Sequence, residues 1–77
     1  MANASTPARA VKVRQIPIEL CQFIKFAGLA ASGGEAKQLV AEGSVQLNGV
    51  TEKQKRKKLA GGDRVTLNGQ TLLVELA

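Results

Sequence analysis

The 77-residue chain has no histidine, tryptophan or tyrosine, and it has only one cysteine. One cysteine cannot form an intrachain disulfide, and the absence of histidine excludes the common zinc, haem, Ser-His and Cys-His arrangements. A domain of this size buries only about 60% of its unfolded surface, which leaves no room for a deep catalytic cavity. The six carboxylates show no paired catalytic spacing. We therefore predict a protein that is not an enzyme, with no metal, cofactor or small-molecule substrate.

Long hydrophobic runs are also absent. No segment approaches the roughly 18 consecutive apolar residues of a membrane span, and residues 1–10 lack the apolar region of a secretory signal. We expect a cytoplasmic monomer with a flexible N-terminal tail over residues 1–10 and a single domain over residues 11–77.

The charge balance is basic, because eleven Lys and Arg residues against six Asp and Glu residues give a net charge of +5. This excess favours a polyanionic partner, with nucleic acid first and an anionic membrane second. A membrane is the less favoured partner, since no amphipathic stretch carries a broad Lys/Arg face.

Residues 11–14 alternate apolar and basic side chains, which predicts a short edge strand. Pro17 stands where a helix could begin, and Gly28 is placed to end it, so we predict a first helix over about residues 18–27. Phe26 lies off its apolar stripe and could be partly exposed, whereas Cys21 adjoins the stripe as a small packed side chain. The stripe consists of Leu20, Phe23, Ile24 and Ala27.

The second helix is predicted over residues 33–42. Ser32 and Glu35 form a Ser-x-x-Glu capping box, in which each side chain satisfies a free backbone N–H of the other residue. Gly43 is expected to end the helix. The inward stripe consists of Ala36, Leu39 and Val40.

After Gly43 the pattern V-x-L-N-G-x-T occurs twice, at residues 45–51 and 65–71. Asn-Gly between alternating apolar residues predicts a tight hairpin turn in each copy, and the repeat reflects either duplication or shared turn chemistry. Because the two helices are consecutive, the expected fold class is α+β. The last two strands, 64–67 and 71–76, have as inward candidates Val65, Leu67, Leu72, Val74 and Leu76.

The segment from Lys53 to Lys58 holds five of the eleven basic residues and no acid. Five like charges repel one another unless a polyanion neutralises them. The run is either a solvated loop that aids solubility or a contact surface for phosphates.

The start of the second helix is a second candidate. Gly33, Gly34 and Lys37 fall on the side away from Leu39, with Gln38 at the border of that side. Free N–H groups and a partial positive charge make a helix N-terminus suited to a phosphate. The glycines either allow close approach of a ligand or only relax the corner between the helices.

Without Tyr or Trp, the chain lacks the stacking platform that holds splayed single-stranded bases. We therefore expect recognition of phosphates and of the shape of folded RNA. The predicted RNA-binding residues are Ser32, Gly33, Gly34, Lys37, Gln38, Lys53, Lys55, Arg56, Lys57 and Lys58.

Four segments together resemble the RNA-binding domain first described in the fourth protein of the small ribosomal subunit, also called the αL motif. They are residues 20–24, the helix start SGGEAKxLV at 32–40, and GxVxLNG at 43–49, followed by KLxxGDxV at 58–65. The chain is most similar to short stand-alone bacterial members. The resemblance implies that the second helix, the corner before it and the basic run face structured RNA, such as ribosomal or transfer RNA, in ribosome assembly or translation.

Two positions depart from that family. The family often has Arg where this chain has Glu19 and Gly33. Either affinity is lower, or binding has moved toward the helix N-terminus and the basic run. The alternative function is a protein-interaction adaptor that has kept the fold and lost RNA.

Overall fold

The computed structural model describes residues 8–77, in which seven strands and two helices follow one another. The predicted tail falls mostly on residues 1–7, which lie outside the described residues. The elements are β1 (Arg9–Val13), β2 (Ile18–Glu19), α1 (Leu20–Phe26), α2 (Gly33–Ala41), β3 (Val45–Leu47), β4 (Val50–Thr51), β5 (Lys58–Leu59), β6 (Arg64–Leu67) and β7 (Gln70–Leu76).

Five strands form one mixed sheet in the order β1-β7-β6-β3-β4. Strand β1 pairs with β7 in parallel, and the other neighbours are antiparallel. The predicted edge strand is therefore confirmed, although it begins at Arg9, so Arg9 and Ala10 belong to the sheet. The protein has the predicted α+β fold, with both helices consecutive in the chain.

Both predicted hairpin turns are confirmed. Asn48 and Gly49 have φ angles of 52° and 85°, and Asn68 and Gly69 have φ angles of 54° and 76°. Positive φ at both central residues is the geometry of a type I′ turn, which joins β3 to β4 and β6 to β7.

Helix α1 begins later than predicted. Ile18 and Glu19 pair as strand β2 with Leu59 and Lys58, so the helix starts at Leu20. Pro17 follows a cis peptide bond before β2 and is not the first helical residue. The predicted end is confirmed, because Gly28 (φ 83°) and Leu29 donate N–H groups back to the last helical turn.

Helix α2 spans nine residues and ends at Ala41, with Glu42 as its C-terminal cap and Gly43 (φ 81°) next. The Oγ of Ser32 accepts the N–H of Glu35 at 3.2 Å, as predicted. The Glu35 carboxylate accepts the N–H of Ala31 at 2.6 Å, one residue before the cap. In the predicted capping box the Glu35 carboxylate would accept the N–H of Ser32, whereas in the structure it accepts the N–H of the residue before Ser32.

The core lies between the helices and one face of the five-stranded sheet. Leu76 lies on the inward face by strand alternation but is 57% exposed, so its prediction as a core residue is wrong. Strand alternation determines on which face of the sheet a side chain lies, but it does not determine whether a helix covers that side chain. Neither helix within residues 8–77 is long and apolar enough to cross a membrane. The buried residues include Val13, Leu20, Phe23, Ile24, Ala36, Val40, Val45, Leu47, Leu59, Val65, Leu67, Leu72 and Val74.

Candidate nucleic-acid interface

An open groove of about 490 Å³ lies where helix α1, the start of helix α2 and the segment before β5 meet. Three of its lining residues are basic and one is acidic. We call it the cationic groove. Its lining residues are Glu19, Cys21, Gln22, Lys25, Gly33, Lys37 and Arg56.

The basic run, residues 53–58, is held against helix α1 by its backbone. The N–H of Leu20 donates to the carbonyl of Lys57 at 2.9 Å, and the N–H of Cys21 donates to the carbonyl of Lys55 at 3.1 Å. These two donors open the helix and would otherwise be unpaired. The contact therefore caps α1 and fixes the basic run without engaging the side chains of Lys55, Arg56 or Lys57, which are exposed.

The start of helix α2 forms another wall. The N–H groups of Gly33 and Gly34 have no hydrogen-bond partner within residues 8–77. Neither glycine has a positive φ. A Cβ at Gly33 would meet nothing within 4 Å, and one at Gly34 would meet only the Oγ of Ser32 at 3.8 Å. The fold therefore does not need glycine at either position, which weakens the view that they only relax the corner.

Lys37 lies one turn beyond Gly33 and, like Gly33, lines the groove. Arg56 of the basic run lines it as well, so three predicted site residues from two separate segments meet there. This arrangement places two positive charges beside the free N–H of Gly33, and the free N–H of Gly34 is the next donor along the helix. Each of these groups attracts an anion such as a phosphate.

Sequence reasoning missed Lys25 and Gln22, which line the groove from helix α1. Their spacing of three residues places them on one face of that helix. This face points away from the apolar stripe, and that position could have indicated that Gln22 and Lys25 are on the surface of the helix. The stripe alone did not show that the second helix and the basic run lie opposite this face.

Glu19 is the acidic member of the groove. Its carboxylate lies 3.5 Å from the Nζ of Lys58, and the Lys58 side chain is 64% exposed. Lys58 belongs to strand β5, which pairs with the strand holding Glu19. Glu19 stands where the family often has Arg, so it places a negative charge in the groove. Lys58, a predicted RNA-binding residue, partly neutralises this charge.

Several predicted residues lie outside the groove lining. Lys53 is near the opposite end of α2, since a Cβ on Gly43 would approach its Cε to 3.2 Å. The amide of Gln38 donates to the carboxylate of Glu42 at 3.1 Å, one turn further along the helix. Ser32 is occupied as the helix cap. Also outside the lining are Gly34, Lys55, Lys57 and Lys58.

Cys21 is buried, with 5% of its surface exposed, and it packs with the core, as predicted. It also contributes to the groove wall. In the part of the chain that the structure describes, no three Cys, Asp or Glu side chains cluster as a metal site requires.

Comparison with known proteins identifies the family of this chain. Residues 11–75 match the model of the S4 domain. The chain therefore belongs to the S4 domain family.

Two relatives match most of this chain. YbcJ of Escherichia coli (strain K12), a candidate RNA-binding protein, is 39% identical over 57 residues, which cover 74% of this chain and 81% of YbcJ. The uncharacterized YbcJ of Shigella flexneri has the same identity and coverage. The solution structure of E. coli YbcJ, described as revealing an αL motif involved in RNA binding, superposes with a TM-score of 0.67. At 32% identity, this match covers 100% of this chain and 98% of that one.

Proposed function

We propose that this protein binds structured RNA through the phosphate backbone, with the cationic groove as its centre. The observation that carries the proposal is the meeting of Lys25, Lys37 and Arg56, from three segments, beside the free N–H group of Gly33. Ammonium, guanidinium and backbone N–H groups are the donors that proteins direct at phosphate oxygens. The RNA-binding description of the E. coli relative supports the same function.

The basic run extends this surface beyond the groove. Its backbone is fixed by helix α1, and the side chains of Lys55 and Lys57 are exposed next to Arg56. A fixed backbone lowers the entropy lost when the side chains engage a ligand. We propose that these residues contact neighbouring phosphates of the RNA that occupies the groove, whereas Lys53 contributes less because it lies at the far end of α2.

The proposed RNA is ribosomal or tRNA-like, and the proposed role is non-catalytic, in ribosome assembly or translation. We further propose that the protein acts as a cytoplasmic monomer. Folded RNA presents phosphates at fixed spacings, which suits donors held by three rigid segments.

Salt dependence tests the proposed contacts. If about five phosphates are neutralised, log K should fall against log salt with a slope of roughly −3.5 to −4.5. The combined variant Lys55→Gln, Arg56→Gln, Lys57→Gln and Lys58→Gln should flatten this slope by roughly three units. The measurement is a fluorescence-anisotropy titration with a short RNA duplex at several salt concentrations.

The control is the double variant Lys12→Gln and Arg64→Gln. Both side chains lie on the sheet face opposite the helices, because they alternate with the buried residues Val13 and Val65. Their loss should change the slope little. An unchanged slope in the quadruple variant would remove the basic run from the binding surface.

A protein-interaction adaptor is the second candidate, favoured by the Glu19 carboxylate in the groove. Capture of partners from cells with and without ribonuclease separates the two functions. RNA binding predicts that partners are lost after nuclease treatment, and an adaptor predicts that they persist.

A further inference from the structure

The two phenylalanines of the chain have opposite environments. Phe23 is fully buried in the core, whereas Phe26 is 56% exposed at the end of helix α1. The helix has seven residues, and four of them face the core. At about 100° per residue, Phe26 points away from the centre of that buried face. An aromatic ring is thus presented to solvent from a rigid element.

Phe26 lies beside the cationic groove. It follows Gln22 by four residues, so the two side chains are neighbours on the helix surface, and Gln22 lines the groove. Basic groups flank this position. Lys25 lines the groove, and the guanidinium of Arg9 donates to the carbonyl of Ala27 at 3.4 Å, at the end of the same helix.

We propose that Phe26 stacks on an unpaired base of an RNA whose backbone occupies the cationic groove. This inference rests on the proposed function and adds a preference within it, for structured RNA with a bulged or looped-out nucleotide over uninterrupted duplex. Single-stranded bases are commonly held by an exposed aromatic side chain next to phosphate-binding cations. The expectation from composition, that the chain has no surface for stacking, is revised by the exposure of this ring.

The surroundings favour a nucleic acid base over an apolar protein surface as the occupant. Lys25 and Arg9 would lie at the edge of any partner that covered Phe26, and burying their charges against an apolar surface is costly. A nucleotide suits both the exposed ring and the adjacent positive charges, since its base has an apolar face and its phosphate is negative.

The test compares two RNA probes, a blunt duplex and the same duplex with one bulged adenine. Phe26→Ala should lower affinity for the bulged probe by at least about fivefold and lower affinity for the blunt probe much less. The matched control is Val50→Ala, which removes another exposed apolar side chain, 69% exposed in strand β4 and outside the groove lining. This control should leave both affinities unchanged.

A spectroscopic measurement complements the affinities. Because the chain has no tryptophan or tyrosine, Phe26→Trp introduces a single indole whose emission reports its surroundings. Stacking predicts that the bulged probe quenches this emission more than the blunt probe does.

The outcomes separate the two proposals. Equal losses on both probes in Phe26→Ala, or equal quenching by both probes in Phe26→Trp, would overturn the stacking role while RNA binding stands. Failure of the unmodified protein to bind either probe would contradict the proposed function itself. If Phe26→Ala retained the preference for the bulged probe but lost a protein captured from nuclease-treated cells, the ring would be a protein contact.

Discussion

Helices α1 and α2 both begin beside the cationic groove, but their first backbone donors have different partners. In α1 the N–H groups of Leu20 and Cys21 bond to carbonyls of the basic run. In α2 the N–H groups of Gly33 and Gly34 bond to nothing among residues 8–77. The same unsatisfied groups occur at every helix start, so the difference lies in what the surrounding chain provides.

The comparison indicates that the first N–H groups of a helix can either fix a neighbouring segment of the site or remain free for a ligand. The donors of α1 hold the basic run in place and have no capacity left for a ligand. The donors of α2 remain free, and the absence of side chains at Gly33 and Gly34 leaves space in front of them. The start of α1, whose first N–H groups are bonded, has a structural role. We call the start of α2, whose first N–H groups are free, the open start, and we propose that it binds phosphate.

The largest effect is expected from removing one free donor of α2. Gly33→Pro deletes its N–H at the first helical position, where proline is well tolerated. The preceding Ser32 is extended (φ −149°, ψ 165°), as a residue before proline prefers. We expect RNA affinity to fall by about tenfold, the cost of losing a hydrogen bond to a charged group. Anisotropy titration with the short RNA duplex provides the measurement.

Gly33→Ala is the matched control, because it retains the N–H and its Cβ meets nothing within 4 Å. Both variants should unfold at or above the temperature of the unmodified protein, since each restricts the unfolded chain. Equal affinities for the alanine and proline variants would mean that the Gly33 donor has no role in binding.

An intermediate effect is expected at Lys25, the groove cation that sequence reasoning missed. Lys25→Gln removes one proposed phosphate contact and should lower affinity by about fivefold at 0.1 M salt, with the slope of log K against log salt flatter by about one unit. Lys12→Gln removes one charge from the opposite face of the sheet and serves as the control. If the two variants behaved alike, general charge would explain binding, without a contribution from groove geometry.

The smallest effect should have the opposite sign. Glu19→Gln removes the negative charge of the groove and releases Lys58, so RNA affinity should rise by about twofold to fivefold. Stability should fall by less than about 1 kcal/mol, because the ion pair is partly exposed. Isothermal titration and thermal unfolding measure the two quantities. A loss of affinity would indicate that Glu19 contacts the RNA favourably.

Local features of the fold could be predicted from the sequence because short-range chemistry determines them. The Asn-Gly turns require positive φ at both residues, and Ser32 caps its helix through a side chain three residues from its donor. In each case the interacting residues are close in the chain, so the signal is contained within a few positions.

The pairing of β2 with β5 could not be predicted in this way. Ile18 and Glu19 come directly before the apolar stripe of the first helix, and their strand partners lie about forty residues later. A two-residue strand has no periodicity of its own. The groove could not be predicted for the same reason. The sequence indicated Gly33, Lys37 and Arg56 separately. Their meeting with Lys25 depends on how α1 packs against α2 and on the backbone hydrogen bonds that fix the basic run.

Amide hydrogen exchange, followed residue by residue by NMR with and without the short RNA duplex, tests whether the open start of α2 binds a phosphate. We expect the N–H groups of Leu20 and Cys21 to be protected in the free protein and to change little when RNA binds, because they are already bonded. We expect the N–H groups of Gly33 and Gly34 to exchange rapidly in the free protein and to become protected when RNA is bound. Rapid exchange at both glycines under saturating RNA would contradict the proposal that the open start of α2 holds a phosphate.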